Sequence, residues 1–247
     1  MLIDSHNHLG GPDKGDGKSQ SVDEIIAAMD KSGVDRAVVF PFNVDNPGVS
    51  FANANDYIAG AVKTRPSRLI GFCRLDPNFG ELAVKELDRC VNGLGLRGIK
   101  LHPTSQNFPL GHPALLDILA AAEELRVPVV FDTGKKMSPP SGIAILAARF
   151  PALRIIMAHM NLYEESIQAA RTAPNIYLGT TGYFNLKRLA AAIRELGVER
   201  FIAGSDSPYI KMDSEMGKFL LMKDLTDDER RLVTGGNAMG LLGLRDV

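Results

Sequence analysis

Short apolar runs alternate along this chain with stretches in which apolar residues return every third or fourth position. The runs fall at residues 2–8, 36–42, 69–76, 96–102, 128–133, 154–159, 176–181 and 200–206. Their near-continuous apolar character predicts parallel strands covered on both faces, since a half-exposed strand would alternate apolar with polar residues. Between the runs, Val22, Ile25, Ile26 and Met29 follow the i, i+3, i+4, i+7 spacing of an amphipathic helix, opened by Ser21 and Glu24 in capping-box positions. Leu186, Leu189, Ala190, Ile193 and Leu196 repeat the pattern until Gly197 stops it. Helices also fit residues 51–63, 81–91, 113–125, 143–150 and 164–171. This alternation of strand and helix predicts an α/β chain forming a single (β/α)8 TIM-type barrel, with residues 1–247 as one domain. C-terminal helices follow the eighth run, one of them opened by a second capping box at Thr226 and Glu229.

The longest irregular stretch, GGPDKGDGKSQ at residues 10–20, follows the first run and therefore lies on the carboxyl face, where barrel active sites sit. Its GDGKS is close to a phosphate-binding loop, but the required first glycine falls on Pro12 and the register fails. A solvated, flexible lid is expected instead.

With 247 residues and 45% hydrophobic content, the chain can bury a large core. Its 28 basic and 29 acidic residues give a net charge of -1, which offers no electrostatic reason to bind nucleic acid or an anionic membrane. A small-molecule substrate is the expected partner, and homo-oligomerisation stays open. Strand-like sequence follows Met1 at once, without the charged and apolar regions of a signal peptide, so the cytoplasm is the expected location. Cys73 and Cys90 show no C-x-x-C spacing and read as buried thiols without a redox or metal role.

Four of the five histidines (His6, His8, His102 and His159) fall at the carboxyl ends of predicted strands, which converge in a barrel. His6 and His8 share a strand face and can grip one cation, and Lys100 shares a face with His102 by the same parity. Asp132 ends the fifth run and Asp206 the eighth. Singly, each has a plain reading: a strand histidine satisfied in the core, Asp206 capping a helix, Asp132 in a turn, Lys135 and Lys136 in solvent. Collected at one mouth, these groups carry a desolvation cost that a bound metal resolves.

The segments IDSHNH, GIKLHP, VVFDTG, IIMAHM, GSDSP and GGNAMGLLGL, in this order, resemble the amidohydrolase superfamily, and within it the amidohydrolase-related group of metal-dependent hydrolases and decarboxylases. The resemblance implies that His6 and His8 are metal ligands, that Asp206 binds metal or handles the proton of an attacking water, and that His159 is a ligand or catalytic base. It departs at the fifth strand, where the family pattern has His-x-Gly and this chain has Asp132-Thr133-Gly134. Asp132 or His102 is then expected to complete the metal shell. In dinuclear members a fourth-strand lysine is carbamylated and bridges two metals, a role for which Lys100 is comparably placed.

From this follows an expectation of one divalent metal, zinc first and manganese second, with a second metal less favoured. The expected reaction is hydrolysis: a metal-activated water attacks the carbonyl of a small carboxylated lactone, amide or ester, with Asp206, His159 and Lys100 as catalytic groups. Arg74 and Lys135 are expected to orient the substrate carboxylate, unless Arg74 pairs with Asp76. The alternative keeps the metal but performs non-oxidative decarboxylation. A third reading, a non-catalytic metabolite-binding barrel, is prompted by Asp132 at the usual histidine position.

Overall fold

A computed structural model describes residues 1–244. The first two predicted strands form as β1 (Ile3–Leu9) and β2 (Arg36–Pro41). The third run is divided at Phe72 into β3 (Leu69–Gly71) and β4 (Cys73–Arg74). The remaining strands are β5 (Ile99–Leu101), β6 (Val129–Asp132), β7 (Ile155–Ala158), β8 (Ile176–Gly179) and β9 (Phe201–Ile202). All pairings are parallel, in the orders β1-β2-β3 and β4-β5-β6-β7-β8-β9.

Backbone hydrogen bonds carry the ring across both breaks. At Phe72 the N–H still donates to Val39 (2.9 Å), while the next N–H, of Cys73, donates to Gly98 (2.9 Å). After β9 the chain stays extended against β1: Ser5 N–H donates to Ala203 (3.1 Å), Asp206 N–H to His6 (2.7 Å) and His8 N–H to Ser207 (2.9 Å). The TIM-type barrel expected from the apolar rhythm is therefore the observed fold.

The helices are α1 (Val22–Ser32), α2 (Ala52–Thr64), α3 (Glu81–Asp88), α4 (Pro103–Gln106), α5 (Pro113–Glu124), α6 (Pro140–Arg149), α7 (Tyr163–Thr172) and α8 (Leu186–Leu196). After the last strand come α9 (Met212–Gly217), α10 (Asp227–Arg231) and α11 (Asn237–Leu242). Both capping boxes form: Ser21 and Glu24 open α1, and Thr226 and Glu229 open α10, each pair satisfying backbone N–H groups that a helix start leaves free. None of these helices is long and apolar enough to cross a membrane. Cys73 and Cys90 are buried free thiols.

Strand alternation divides the core into two clusters. Ala37 and Val39, Val129 and Phe131, and Ile155 and Met157 face the helices. Val38, Phe40, Ile70, Phe72, Val130, Ile156 and Ile202 fill the barrel, and Ala238, Leu241 and Leu242 of α11 pack against them. Truncating a barrel-filling residue such as Phe40 to alanine is expected to cost about 3–5 kcal/mol.

The segment 10–20 is largely solvated, as expected, but it is not a loose lid. Gly10 and Gln20 exchange backbone hydrogen bonds (2.8 and 2.9 Å), and Asp13 N–H donates to Lys18 (2.7 Å). Gln20 ties the base down, donating to the His8 carbonyl (2.7 Å) and accepting from Ser207 Oγ (2.8 Å).

Candidate metal centre and active site

A bulge aims the first two histidines. Ile3 points into the barrel, so strict alternation would send Ser5, Asn7 and Leu9 inward and both histidines outward. Asp4 pairs with Ala37 but Asn7 with Val39, so β1 holds one extra residue between them and the parity reverses. His6 and His8 thus reach the interior and face the same oxygen, Asp206 Oδ1, at 3.4 and 3.2 Å from their Nε2 atoms. Gly204 makes room: a Cβ there would lie 2.7 Å from His6 Cβ. Beneath them, buried Asp4 accepts from the N–H groups of Ser205 (2.8 Å) and His6 (3.2 Å), and burial pushes its carboxyl up to about 6.

The other expected residues arrive from neighbouring strands. Ordinary alternation turns Arg74, Lys100 and Asp132 inward, following Phe72 and Val130 of the interior cluster. His159 breaks the alternation, because Ala158 already points inward. Its left-handed backbone (φ 77°) swings the ring into the same cavity, and Asp206 is also left-handed (φ 65°). Such backbone costs on the order of 1–3 kcal/mol per residue and concentrates at functional sites.

Two linked groups result. His6, His159 and Asp206 each offer a ligand atom, and these atoms lie within 4.8 Å of one another. Lys100 Nζ stands 3.0 Å from His6 Nε2 and 4.8 Å from the Phe40 ring centroid. Asp132 forms the second group: its Oδ2 is 3.4 Å from His102 Nε2 and 3.4 Å from His159 Nε2, and Lys135 Nζ is 3.1 Å from its Oδ1. His102 caps α4, its Nδ1 accepting from Ser105 N–H (3.1 Å), while its Nε2 meets Lys135 (3.1 Å). Asp132 and His102, either of which was expected to complete a shell with His6, His8 and Asp206, lie 3.4 Å apart, and Asp132 also meets His159.

Burial governs the protonation pattern. It pushes His6 well below the ordinary histidine value, helped by the charge of Lys100, and it lowers His8 against the pull of Asp206. Both imidazoles therefore present lone pairs. Burial brings His102 to about 3 and Lys100 to about 8. It would raise Asp132 and Asp206, but the neighbouring imidazoles of His159 and His8 and the charge of Lys100 outweigh it, so both carboxyls lie below the usual range.

This donor set fits a divalent cation. Asp206 Oδ1 is buried and takes no hydrogen bond, although two imidazole nitrogens stand close to it. Imidazole and carboxylate together suit zinc or manganese.

A cavity of about 320 Å³ opens over the two groups, and His8, Arg74, His102, Asp132, Lys135, His159 and Asp206 line it. Arg74 is fully buried and donates to Gln106 Oε1 (3.3 Å), the Pro41 carbonyl (3.1 Å) and Ser105 Oγ (3.1 Å). It does not pair with Asp76, which instead accepts from Asn78 N–H (3.1 Å). Lys136 is exposed and does not line the cavity. Asp13, Asn43, Ser105, Asn161 and Tyr209 complete the wall. The sequence did not single them out, since loop conformation rather than strand parity brings them here; Asp13, Asn43, Ser105 and Tyr209 lie in the segments 10–20, 43–50, 104–112 and 207–216 that follow strands on this face.

Fold and site together describe a TIM-type barrel with a metal-ligating constellation at the carboxyl ends of its strands. The family model described as "Amidohydrolase" matches residues 3–244, and the chain belongs to that family. Among curated proteins, the chain is 25% identical over 288 residues to gamma-resorcylate decarboxylase of Polaromonas sp. (strain JS666 / ATCC BAA-500), a match covering 90% of this chain and 87% of that protein. Among solved structures, 5-carboxyvanillate decarboxylase from Sphingomonas paucimobilis superimposes with a TM-score of 0.81 at 18% identity, over 99% of both chains. Dihydroxybenzoic acid decarboxylase from Polaromonas sp. JS666, with bound manganese and the inhibitor 2-nitroresorcinol, superimposes with a TM-score of 0.77 at 21% identity, over 100% of this chain and 98% of that one. At these identities the two superpositions establish the shared fold.

Proposed function

We propose that this chain is a metal-dependent, non-oxidative decarboxylase of a small carboxylic acid. This reverses the order expected from the sequence, which put carbonyl hydrolysis first, because a curated relative matched over most of both chains is a decarboxylase. The observation that carries the reading is the composition of one cavity, where the cations Arg74 and Lys135 share about 320 Å³ with His159 and Asp206. That volume suits a monocyclic acid, and the cations draw its carboxylate out of water.

His6, His8 and Asp206 are the residues that would hold the ion. When bound, a divalent ion supplies Lewis-acid stabilisation of negative charge on substrate oxygens. Arg74, fixed by three hydrogen bonds, orients the substrate. The bond from carbon to the carboxylate breaks, its electron pair stays on the carbon, CO2 leaves, and His159 gives that carbon a proton. Asp132, 3.4 Å from His159 Nε2, holds the ring in position for that transfer, and water returns the proton.

The test is to strip the protein of metal, reload it with Mn²⁺ or Zn²⁺, and offer 2,6-dihydroxybenzoate, related hydroxybenzoates and a panel of small lactones. Metal-dependent CO2 release is expected, reduced about 100-fold or more in His159→Asn. Lactone opening without CO2 release from any acid would return the assignment to hydrolysis.

A further inference from the structure

The opposite end of the barrel carries its own charge pattern. An arginine stands at or just before the start of most strands: Arg36, Arg68, Arg97, Arg126, Arg154 and Arg200 precede or open β2, β3, β5, β6, β7 and β9. Helix C-termini also point to this end, and their free carbonyls and negative dipole ends account for part of the set. Arg68 donates to the carbonyls of Val34 and Asp35, and Arg154 to those of Leu241 and Arg126. Arg200 donates to Ala170, Ala173 and Ile176.

Arg36, Arg97 and Arg126 have no such partner. Among the described residues, no hydrogen bond or ion pair engages their guanidinium groups, and Arg36 Nε is buried without an acceptor. Burial, and after it the charge of Arg97, lowers Arg36 below its ordinary value. Two carboxylates at this end are already occupied: Glu123 accepts from the N–H groups of Ala152 and Leu153, and Asp35 from that of Leu2. Arg97, Arg126 and Arg154 line a cavity of about 480 Å³, walled on its apolar side by Val91, Leu96 and Leu241.

We propose that this cavity binds a small phosphorylated molecule, its phosphate held by the unpartnered Arg97 and Arg126, with Arg154, already bonded to the carbonyls of Leu241 and Arg126, adding positive charge to the wall. The guanidinium groups of Arg97 and Arg126 supply the forked donors that phosphate oxygens prefer, in a cavity whose wall Arg154 makes more positive. The cavity is larger than one phosphate needs, which leaves room for an organic group against the apolar wall. The site lies at the end of the barrel away from the metal-ligating cluster and does not depend on the reaction catalysed there.

Calorimetric titration of the whole protein with inorganic phosphate and with ribose 5-phosphate, each set against sodium chloride of matched ionic strength, tests this. Saturable binding is expected for the phosphates and not for chloride, weakened about tenfold or more in the double variant Arg97→Gln/Arg126→Gln. Both substituted side chains are exposed, and a thermal melt of the variant checks that it folds. Tighter binding of the ester than of the free ion assigns the cavity to an organic phosphate; equal binding assigns the arginines to the ion alone. Heats indistinguishable from chloride, or undiminished binding by the folded double variant, would overturn the proposal.

Discussion

Lys100 Nζ lies 3.0 Å from His6 Nε2, with both side chains buried. A neutral His6 has one lone pair at that nitrogen, and the lysine ammonium and a divalent ion compete for it. Burial already brings Lys100 down to about 8, so little is needed to displace its proton. Lys100→Met removes the competitor and a nearby positive charge, and Zn²⁺ or Mn²⁺ affinity is expected to rise about tenfold. Chelator competition measures it. Weaker metal binding would show that Lys100 helps to hold the ion, as a carbamylated lysine would.

Gly204 faces His6 just as closely. A Cβ added there would stand 2.7 Å from His6 Cβ, 3.1 Å from its backbone nitrogen and 2.9 Å from Thr181 Oγ1. Backbone and a barrel strand cannot give way cheaply, so Gly204→Ala is expected to cost about 1–3 kcal/mol. Displacing His6 also weakens metal binding, so affinity should fall along with the urea midpoint. A variant with lower stability and unchanged affinity would separate this contact from the metal centre.

Strand parity explains which parts of this site were legible. Arg74, Lys100 and Asp132 follow the alternation set by Phe72 and Val130, so a period of two was enough to turn them inward. His6 and His8 were placed inward by their mutual i, i+2 spacing, but the absolute face depends on the bulge in β1, which no residue pattern announces. His159 reaches the cavity against parity through left-handed backbone, and what pointed to it was its place at the end of a predicted strand and the IIMAHM motif. The split of the third run at Phe72 was not legible either, since one apolar run reads the same whether its partner is one strand or two. Asp132 or His102 was expected to join His6 and His8 on one metal. The pairing of Asp132 with His102 and Lys135 depends on the turn after β6 and on α4, which loop conformation decides.

The two capping boxes predict part of the acid response. Hydrogen bonds from the backbone and side chain of Ser21 hold Glu24 below its ordinary 4.5, and Thr226 does the same for Glu229. A carboxyl lowered on folding stabilises above its unfolded pKa, and that contribution is lost as pH falls through the folded value. Melting temperature followed from about pH 6 to pH 3 should therefore fall less steeply below 4.5 in Glu24→Gln/Glu229→Gln than in the parent. Parallel curves would mean that neither box contributes to the acid limb.

Behind the site, Lys218 and Glu215 form a buried ion pair, each 2% exposed or less. Lys218 Nζ donates to Glu215 Oε2 (2.5 Å) and to the Thr180 carbonyl (2.7 Å), while Glu215 Oε1 accepts from Gly182 N–H (2.9 Å). The pair thus ties α9 and the turn after it to the segment that follows β8, beside Gly204 and His6. Burial raises Glu215 and lowers Lys218, so each charge is tolerated only because of the other. Glu215→Gln keeps the acceptor for Gly182 but strands the ammonium, and Lys218→Met strands the carboxylate; each is expected to cost about 3–5 kcal/mol. The double variant leaves no unpaired charge and should cost well under the sum of the singles, a non-additivity of about 1–3 kcal/mol in urea denaturation. Additive losses would show that the two charges do not depend on each other, and that the hydrogen bonds to Thr180 and Gly182 alone hold this part of the fold.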